Sequence, residues 1–191
     1  MTRIGFGLCG SFCSFSSVFS VMENLAQKGY ALTPVFSFAA AKTDTRFGKA
    51  ADFLQKAEEI CGQKPVCTLE EAETFGPKKS FDLFVVAPCT ATTCRRLADG
   101  IYDTPVSLGV KAHLRNARPV LLAIATNDAL STSAEAIGKL LPRNHHFFVP
   151  MVQDDPVKKP FSAVADFSLL PTAIEKALAG EQLRPLFLER K

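Results

Sequence analysis

The length, composition and charge of this chain exclude several classes of protein. Its 191 residues are 47% hydrophobic and 21% charged, as in one ordinary globular domain rather than a disordered chain. The net charge of +3 comes from scattered basic residues, so we expect no nucleic-acid binding. No apolar stretch approaches the roughly 18 residues that a membrane-spanning helix needs, so we expect no membrane span either.

The first half of the chain alternates short apolar strands with amphipathic helices, which is the pattern of a parallel sheet covered on both faces. Glycines at positions 29 and 62 follow two of the helices, where a glycine commonly ends a helix. In chain order we predict a strand at Arg3–Cys9, a helix at Ser14–Lys28, a strand at Ala31–Phe38, a polar loop at Ala41–Gly48, a helix at Lys49–Ile60, a short strand near Val66 and a weak helix from Leu69.

The second half continues this alternation, and Pro88 is expected to end its first, almost wholly apolar strand. In chain order we predict a strand at Phe81–Ala87, helices at Thr92–Ile101 and Pro105–Asn116, a strand at Pro119–Ala125, a helix at Ala129–Leu141, a last core strand at Phe147–Val149, a loop at Asp154–Pro160 and a helix at Ser168–Ala179. The whole chain, residues 1–191, is therefore predicted to be a single α/β domain with a doubly wound parallel sheet.

The six cysteines lie at positions 9, 13, 61, 67, 89 and 94. They form no C-x-x-C pair, and no histidine follows them at a zinc-finger spacing. The opening apolar run Ile4–Cys9 contains two glycines and is too short for a secretory leader. We therefore expect a cytoplasmic protein with reduced thiols and no metal site.

Residues 5–10 read G-F-G-L-C-G and match the glycine pattern of dinucleotide-binding sites. That fingerprint needs a complete strand before its first glycine and an acidic residue about 20 residues further on. Here Gly5 comes too early for such a strand, and Ser37 and Phe38 stand where the acid would be. An NAD-type site is therefore disfavoured, and Gly5 and Gly7 are expected inside the first strand.

Gly10 and Ser11 lie where the first strand turns into the first helix. A glycine lets a ligand approach the backbone closely, and free N–H groups at a helix N-terminus suit a phosphate. We therefore predict that the N–H groups of Gly10 and Ser11 hold the phosphate of a mononucleotide such as FMN. The alternative is that the serines of this turn only cap the helix.

Small or amide-bearing residues also follow the other predicted strands. Because ligands of open α/β sheets bind beyond the carboxyl ends of the strands, these residues are candidates to contact a flavin ring and ribityl chain. Each of them alone could equally be a turn or cap residue. They are Ser37, the segment 88–93 and the segment 126–128.

Several segments resemble the flavoprotein family, whose members include flavin-dependent cysteine decarboxylases and prenyl-flavin enzymes. Besides the Gly10-Ser11 turn, they are A-P-x-[ST]-A-x-T at 87–93, A-D-G-I at 98–101 and R-P-V-x-x-A-x-x-x-N at 118–127. Within that family, TRFG at 45–48, ATNDAL at 125–130 and QDDPVKKP at 153–160 resemble the B subunits of dipicolinate synthase. The resemblance covers essentially the whole chain and implies a Rossmann-like flavoprotein fold.

This resemblance implies an oxidoreductase subunit that binds FMN, is a homo-oligomer and leaves NAD(P) to its partner. By the same resemblance, the partner is the dehydrogenase-like A subunit of dipicolinate synthase. The resemblance further implies that the two subunits together oxidise a dihydrodipicolinate-type intermediate to pyridine-2,6-dicarboxylate in the mother-cell cytoplasm of sporulating bacteria. The flavin-binding role carries over to Gly10, Ser11, Ser37, Thr90, Thr92 and Asn127.

Two departures from the family disfavour decarboxylation by its usual mechanism. The decarboxylases have an Asn beside the flavin where this chain has Thr92, and a catalytic His after the second strand, where residues 39–48 contain none. The histidines at 113, 145 and 146 are expected to have surface or core roles. Three hypotheses remain: a flavin-assisted subunit of an oxidoreductase, an FMN-dependent decarboxylase, and a non-redox partner that organises the dehydrogenase-like protein.

A flat dicarboxylate substrate needs cationic or amide groups to hold its two carboxylates. Arginine binds carboxylates bidentately, so Arg46 in the loop after the second strand is the first candidate. Lys158 and Lys159 come next as mobile charges that close over the site, unless they are simply a solvated pair. Asp128 is either a general base or a helix cap, and the catalytic residues stay unassigned.

Overall fold

The computed structural model describes residues 1–189, in which seven strands form one sheet. The strands are β1 Arg3–Leu8, β2 Ala31–Phe36, β3 Leu83–Cys89, β4 Val120–Thr126, β5 His146–Phe148, β6 Met151–Val152 and β7 Ala163–Ala165. Their order is β2-β1-β3-β4-β7-β6, and β5 also pairs with β4. The first five strands pair in parallel, whereas β7 is antiparallel to both β4 and β6. The α/β fold with a parallel-dominated sheet is confirmed.

Nine α-helices connect and cover these strands within the described residues. They are α1 Phe15–Gln27, α2 Phe38–Lys42, α3 Ala50–Cys61, α4 Leu69–Glu73, α5 Phe75–Lys78, α6 Ala91–Asp99, α7 Pro105–Leu114, α8 Ala134–Leu140 and α9 Leu170–Leu178. Single 3-10 turns at Phe12–Ser14 and Phe167–Leu169 precede α1 and α9. No helix among residues 1–189 is long and apolar enough to cross a bilayer.

Alternate residues of the central strands supply two separate hydrophobic cores, because successive side chains of a strand point to opposite faces. Ile4, Phe6 and Leu8 of β1 belong to the core that includes α1 and α9. Phe84 and Val86 of β3 belong to the core that includes α6, α7 and α8. The sheet is thereby covered on both faces, and ligands can reach it only at its edges and strand ends.

Pro88 lies inside β3, which corrects the prediction that it ends the strand. The pairing of β3 with β4 is irregular between Val86 and Cys89, and Pro88 falls within this irregularity. A proline lacks the N–H that a regular ladder needs, so it is tolerated where the ladder is already interrupted. The strand therefore delivers Cys89, and not Ala87, to its carboxyl end.

The helix predicted at 129–141 begins only at Ala134. The N–H groups of Ser131 and Ser133 both donate to the carbonyl of Asp128, at 3.1 Å each, and hold the preceding residues in a turn. Serine and threonine side chains compete with the backbone for hydrogen bonds, and three such residues stand at 131–133. The segment is helical from Ala134 onward, as its apolar pattern predicts, but residues 129–133 form a turn that is not helical.

The hairpin β6–β7 was not predicted, so the expectation that Phe147–Val149 is the last core strand is wrong. β4 pairs with β5 along its first half and with β7 at Ala125 and Thr126. The hairpin therefore extends the sheet at the carboxyl end of β4. Its loop, residues 153–162, consequently reaches the edge where the sequence predicts ligand binding.

Candidate functional site

A cleft of about 680 Å³ opens at the carboxyl ends of β1, β3 and β4. Parallel strands bring these ends to one edge of the sheet, where ligands of such folds bind. The loop before α3 and the β6–β7 loop contribute its outer walls. Seven residues predicted from the sequence line this one cleft: Gly10, Ser11, Arg46, Thr90, Thr92, Asn127 and Lys159.

The turn from β1 into α1 carries unpaired backbone donors. The N–H of Ser11 donates to the carbonyl of Cys9 (2.8 Å), so it is not open to a ligand in the way the sequence predicted. Within residues 1–189, the N–H groups of Gly10, Phe12 and Cys13 have no acceptor. The Ser11 hydroxyl caps no backbone N–H, but it lies 3.3 Å from the Ser14 hydroxyl and 3.7 Å from the Cys13 sulfur. The turn therefore offers three unpaired N–H groups to an anion.

At Gly10 the protein has room for a side chain without any steric overlap. An added Cβ would lie 3.6 Å from the Cβ of Ala39 and 3.6 Å from the ring of Phe12, which are ordinary van der Waals distances. Nothing in the protein therefore requires a glycine at position 10. Its missing side chain instead lets a ligand approach the backbone closely.

Thr90 and Thr92 bring the N-terminal end of α6 to the cleft. Thr90 is the N-cap of that helix: its hydroxyl accepts a hydrogen bond from the N–H of Thr93 (3.4 Å) and lies 3.2 Å from the Thr93 hydroxyl. Thr92 is exposed, and its hydroxyl has no partner in the described part of the chain. Since Thr90 is engaged in capping, Thr92 is the threonine more available to a ligand.

Asn127 and Asp128 follow β4 but serve different purposes. Asn127 is exposed in the cleft. Asp128 accepts hydrogen bonds from the hydroxyls of Thr126 (2.5 Å) and Ser133 (2.9 Å), and it does not line this cleft. The N-cap of α8 is Ser133. Asp128 therefore stabilises the turn after β4 and is not the helix cap that the sequence offered as one alternative, whereas its role as a general base stays a prediction.

Two predicted site residues lie outside the cleft. Ser37 is only 7% exposed, and its hydroxyl accepts a hydrogen bond from the N–H of Ala40 (3.3 Å), so it caps α2 and contributes nothing to the lining. Lys158 is exposed, and its N–H donates to a carboxylate oxygen of Asp155 (3.0 Å). The sequence could not separate Lys158 from Lys159, because an irregular loop has no fixed period.

Arg46 and Phe47 form the tip of a tight turn at the mouth of the cleft. The turn is closed by two hydrogen bonds between Thr45 and Gly48, from N–H to carbonyl in each direction, at 3.0 and 3.2 Å. The guanidinium carbon of Arg46 lies over the Phe47 ring, 4.9 Å from its centroid. Arg46 makes no ion pair and no side-chain hydrogen bond to any residue among 1–189.

Lys159 enters the cleft from the β6–β7 loop with a fixed partner. Its Nζ lies 3.0 Å from Oδ2 of Asp154, and this hydrogen bond and the carboxylate charge raise the pKa of Lys159. Burial acts to raise the pKa of Asp154, but the Ser162 hydroxyl and the Lys159 ammonium outweigh it, so the pKa of Asp154 is lowered. The pair is therefore charged on both sides at neutral pH.

Sequence reasoning missed Phe12, Cys13 and Asp154, which also line the cleft. The ring of Phe12 is held by Phe15 and Phe53, at centroid distances of 5.3 and 6.0 Å. Phe12 and Cys13 directly follow the predicted phosphate turn, so their position in the sequence could have identified them as cleft residues. Asp154 could have been found as the acidic neighbour of a predicted lysine within the same loop.

The thiols of Cys9, Cys89 and Cys94 near this edge of the sheet are buried. Thr93 donates its hydroxyl to the sulfur of Cys9 (3.2 Å), and the sulfurs of Cys89 and Cys94 lie 3.6 Å apart. Burial raises the pKa of Cys9 to about 12, and the contact with Cys94 together with burial raises that of Cys89. All six cysteines are free thiols, and no group of metal-ligating side chains occurs within residues 1–189.

The comparison with known proteins agrees with this architecture. The sequence model of the family described as Flavoprotein matches residues 1–162, so this chain belongs to the flavoprotein family. The chain is 43% identical over 187 residues to the B subunit of dipicolinate synthase from Bacillus subtilis (strain 168). That similarity covers 98% of this chain and 94% of the relative.

Solved structures show the same fold. The crystal structure of the dipicolinate synthase B subunit from Bacillus halodurans is 38% identical, with a TM-score of 0.91 over 100% of this chain and 97% of that one. The FMN-dependent cysteine decarboxylase SpaF is 22% identical, with a TM-score of 0.67 over 93% of this chain and 97% of that one, and shows the fold alone. The resemblance found in the sequence motifs is thus confirmed.

Proposed function

We propose that this chain is the FMN-binding B subunit of a dipicolinate synthase. With a dehydrogenase-like A subunit that carries NAD(P), it oxidises a dihydrodipicolinate-type intermediate to pyridine-2,6-dicarboxylate. It does so as a homo-oligomer in the mother-cell cytoplasm of a sporulating bacterium. The similarity to the Bacillus subtilis protein and the cleft at the strand ends support this proposal.

The observation that carries the FMN proposal is the set of unpaired backbone donors in the β1–α1 turn. The N–H groups of Gly10, Phe12 and Cys13 lie just before α1, a helix of 13 residues, and the Ser11 hydroxyl lies beside them. Free N–H groups and the helix dipole both favour a phosphate at such a position. The donors fit the phosphate of FMN, and Thr92 offers a hydroxyl further along the same cleft.

When bound, FMN supplies a ring able to accept a hydride from a dihydro substrate. In this proposal Arg46 and Lys159 bind the two carboxylates of the substrate. These two cations outnumber Asp154, the carboxylate that lines the same cleft, so the cleft favours an anionic ligand. Arg46 is suited to a bidentate contact, whereas Lys159 offers a point charge.

Two features keep decarboxylation from being the better proposal. The segment 39–48 contains no histidine, and its last residues form the closed turn that presents Arg46. Thr92 takes the place of the asparagine that the family's decarboxylases have beside the flavin. The cleft thus has cations that suit a dicarboxylate but lacks both side chains associated with that reaction.

Reconstitution with the dehydrogenase-like partner tests the proposal as a whole. We expect the mixture, but neither protein by itself, to form pyridine-2,6-dicarboxylate, and we expect removal of FMN to lower the rate. Full activity in protein freed of flavin would contradict the flavin role. No product from the two-protein mixture would contradict the assignment itself.

Cleft variants test the substrate role of Arg46 and Lys159 in that mixture. Losing a bidentate carboxylate contact costs about 1.5–3 kcal/mol, so Arg46→Ala should lower kcat/KM about 10- to 150-fold. Arg46→Lys should lose most of this factor too, because lysine keeps the charge but not the fork. Lys159→Met should also weaken turnover, whereas Lys158→Met, one residue away and outside the cleft, should stay within about twofold.

A further inference from the structure

The turn at residues 44–50 is built to present its two central side chains in fixed positions. Besides the paired hydrogen bonds between Thr45 and Gly48, the N–H of Phe47 donates to the Thr45 hydroxyl at 3.1 Å. Gly48 has φ +148°, and an added Cβ would lie 2.7 Å from the Phe53 ring, so this ring packs directly against the turn. The backbone that carries Arg46 and Phe47 is therefore held by hydrogen bonds within the turn and by packing against Phe53.

Phe47 is an exposed aromatic residue whose ring is already covered by a neighbour. Its side chain is 48% exposed, yet the Arg46 guanidinium lies over the ring at 4.9 Å from the centroid. A guanidinium over an aromatic face is held by the ring quadrupole even at an exposed site. The ring of Phe47 thus contacts Arg46, and both residues line the cleft.

The two cations of the cleft are held in different ways. Lys159 donates to Asp154, so part of its charge and one of its hydrogen bonds are already engaged. A phenylalanine ring has no hydrogen-bond acceptor, so Phe47 fixes Arg46 while leaving all five of its N–H donors open. Arg46 is thus set for a bidentate contact without first breaking an ion pair.

We propose that Phe47 is a positioning residue that acts through Arg46, holding the guanidinium at the cleft mouth with its donors unengaged. The inference rests on the proposed function, because the ligand it serves is the flat dicarboxylate assigned to this cleft. An arginine side chain is flexible, and a preset guanidinium loses less conformational freedom when it binds a carboxylate. Phe47 should therefore strengthen dicarboxylate binding without touching the ligand.

A double-mutant cycle separates this role from direct stacking of Phe47 on the ligand. The probe is pyridine-2,6-dicarboxylate, titrated by calorimetry into the full-length protein loaded with FMN. Phe47→Leu should weaken binding about threefold to fivefold, the range expected from an exposed cation–π contact. In an Arg46→Ala background the same substitution should change the affinity by less than about 1.5-fold, because the two effects are not additive.

Two controls keep the cycle specific. Phe47→Tyr retains a ring that can hold the guanidinium and should bind the probe as the wild type does. Phe187→Leu removes an exposed aromatic side chain, 65% accessible, that does not line the cleft, and it should also be neutral. Affinity for FMN and the urea midpoint should be unchanged in Phe47→Leu, which a general disturbance of the fold would not allow.

Each outcome of the cycle is decisive. An equal loss from Phe47→Leu in both backgrounds would overturn the proposal and assign the ring to direct stacking on the ligand. An unchanged affinity for the probe in both backgrounds would overturn the proposal as well, because Arg46 would then bind the ligand equally well without the Phe47 ring. If the FMN-loaded wild type fails to bind the probe at all, both this inference and the proposed substrate are wrong. If it binds but the cycle is additive, only this inference fails.

Discussion

The glycines between residues 5 and 10 belong to two regions of the molecule with opposite physical demands. In β1, an added Cβ at Gly5 would lie 2.7 Å from the rings of Phe81 and Phe84, and one at Gly7 would lie 2.9 Å from Val106. At Gly10 the nearest atoms are 3.6 Å away. The first two glycines let helix and aromatic side chains lie against the strand, whereas a Cβ at the third would make only ordinary van der Waals contacts.

This difference shows that one glycine motif can combine a folding requirement with a binding requirement. Contacts inside the protein fully explain Gly5 and Gly7, and no ligand is needed to account for them. Contacts inside the protein do not explain Gly10, which lies among unpaired N–H groups at the cleft. The closely packed region should therefore respond to substitution by losing stability, and the open turn should respond by losing ligand affinity.

The largest stability effect expected in the closely packed region depends on pH. His113 lies near Phe81 and Phe84, at 6.5 and 6.1 Å between ring centroids, and a hydrogen bond joins its Nε2 to the Pro119 carbonyl at 2.9 Å. Burial lowers its pKa to about 4, although the bond to Pro119 acts in the opposite direction. Between about pH 4 and pH 6.5, His113 is therefore protonated in the unfolded chain but neutral in the folded chain.

Because the folded pKa of His113 is depressed, its contribution to stability is complete above about pH 6.5 and is lost as the pH falls toward about 4. Between about pH 7 and pH 4.5 this loss should reach about 2–3 kcal/mol. Urea unfolding of the wild type and of His113→Gln at both pH values checks it. Equal pH dependence in the two proteins would contradict the assignment to His113.

Substitution of a strand glycine should give the next largest effect. Gly5→Ala should lower the free energy of unfolding by about 1–3 kcal/mol, since a methyl group there overlaps two buried rings. Gly138→Ala is the matched control: this residue lies exposed in α8, an added Cβ meets nothing within 4 Å, and alanine should stabilise the helix by about 0.5–1 kcal/mol. An unchanged free energy of unfolding in Gly5→Ala would contradict the claim that the glycines of β1 are required by packing.

Substitution of Ser37 should give the smallest change in stability, and it tests whether a residue at the ligand-binding edge serves folding or ligand binding. It follows β2 at the ligand-binding edge, yet its hydroxyl caps α2. Ser37→Ala should cost about 1 kcal/mol of stability and leave FMN affinity within about twofold. A tenfold loss of FMN affinity with unchanged stability would instead restore the flavin-binding role that the sequence suggested.

Much of the fold and part of the site could be predicted because both depend on local patterns. The apolar runs placed β1, β3 and β4 nearly correctly, and the rule that ligands bind at carboxyl strand ends brought Gly10, Thr92 and Asn127 into one cleft. That rule needs only the order of the strands. It therefore works without any knowledge of side-chain contacts.

The remaining features depend on contacts between distant segments or on choices between neighbours. β6 and β7 have two and three residues, which is too short for a recognisable period. Ser37 obeys both the strand-end rule and the helix-cap rule, and only the geometry of Ala40 decides between them. The N–H of Ser11 is engaged by Cys9 because of how this one turn closes, which residue types alone do not specify.

The relative affinity of the protein for FMN and riboflavin tests the central claim most directly, because the two ligands differ only in the phosphate. If the donors of residues 10–13 hold that phosphate, the wild type should bind FMN at least about tenfold more tightly than riboflavin, as charge-assisted hydrogen bonds imply. Gly10→Ala should bring the ratio close to one while changing stability by no more than about 0.5 kcal/mol. Equal affinities in the wild type, or a ratio unchanged by Gly10→Ala, would contradict the account.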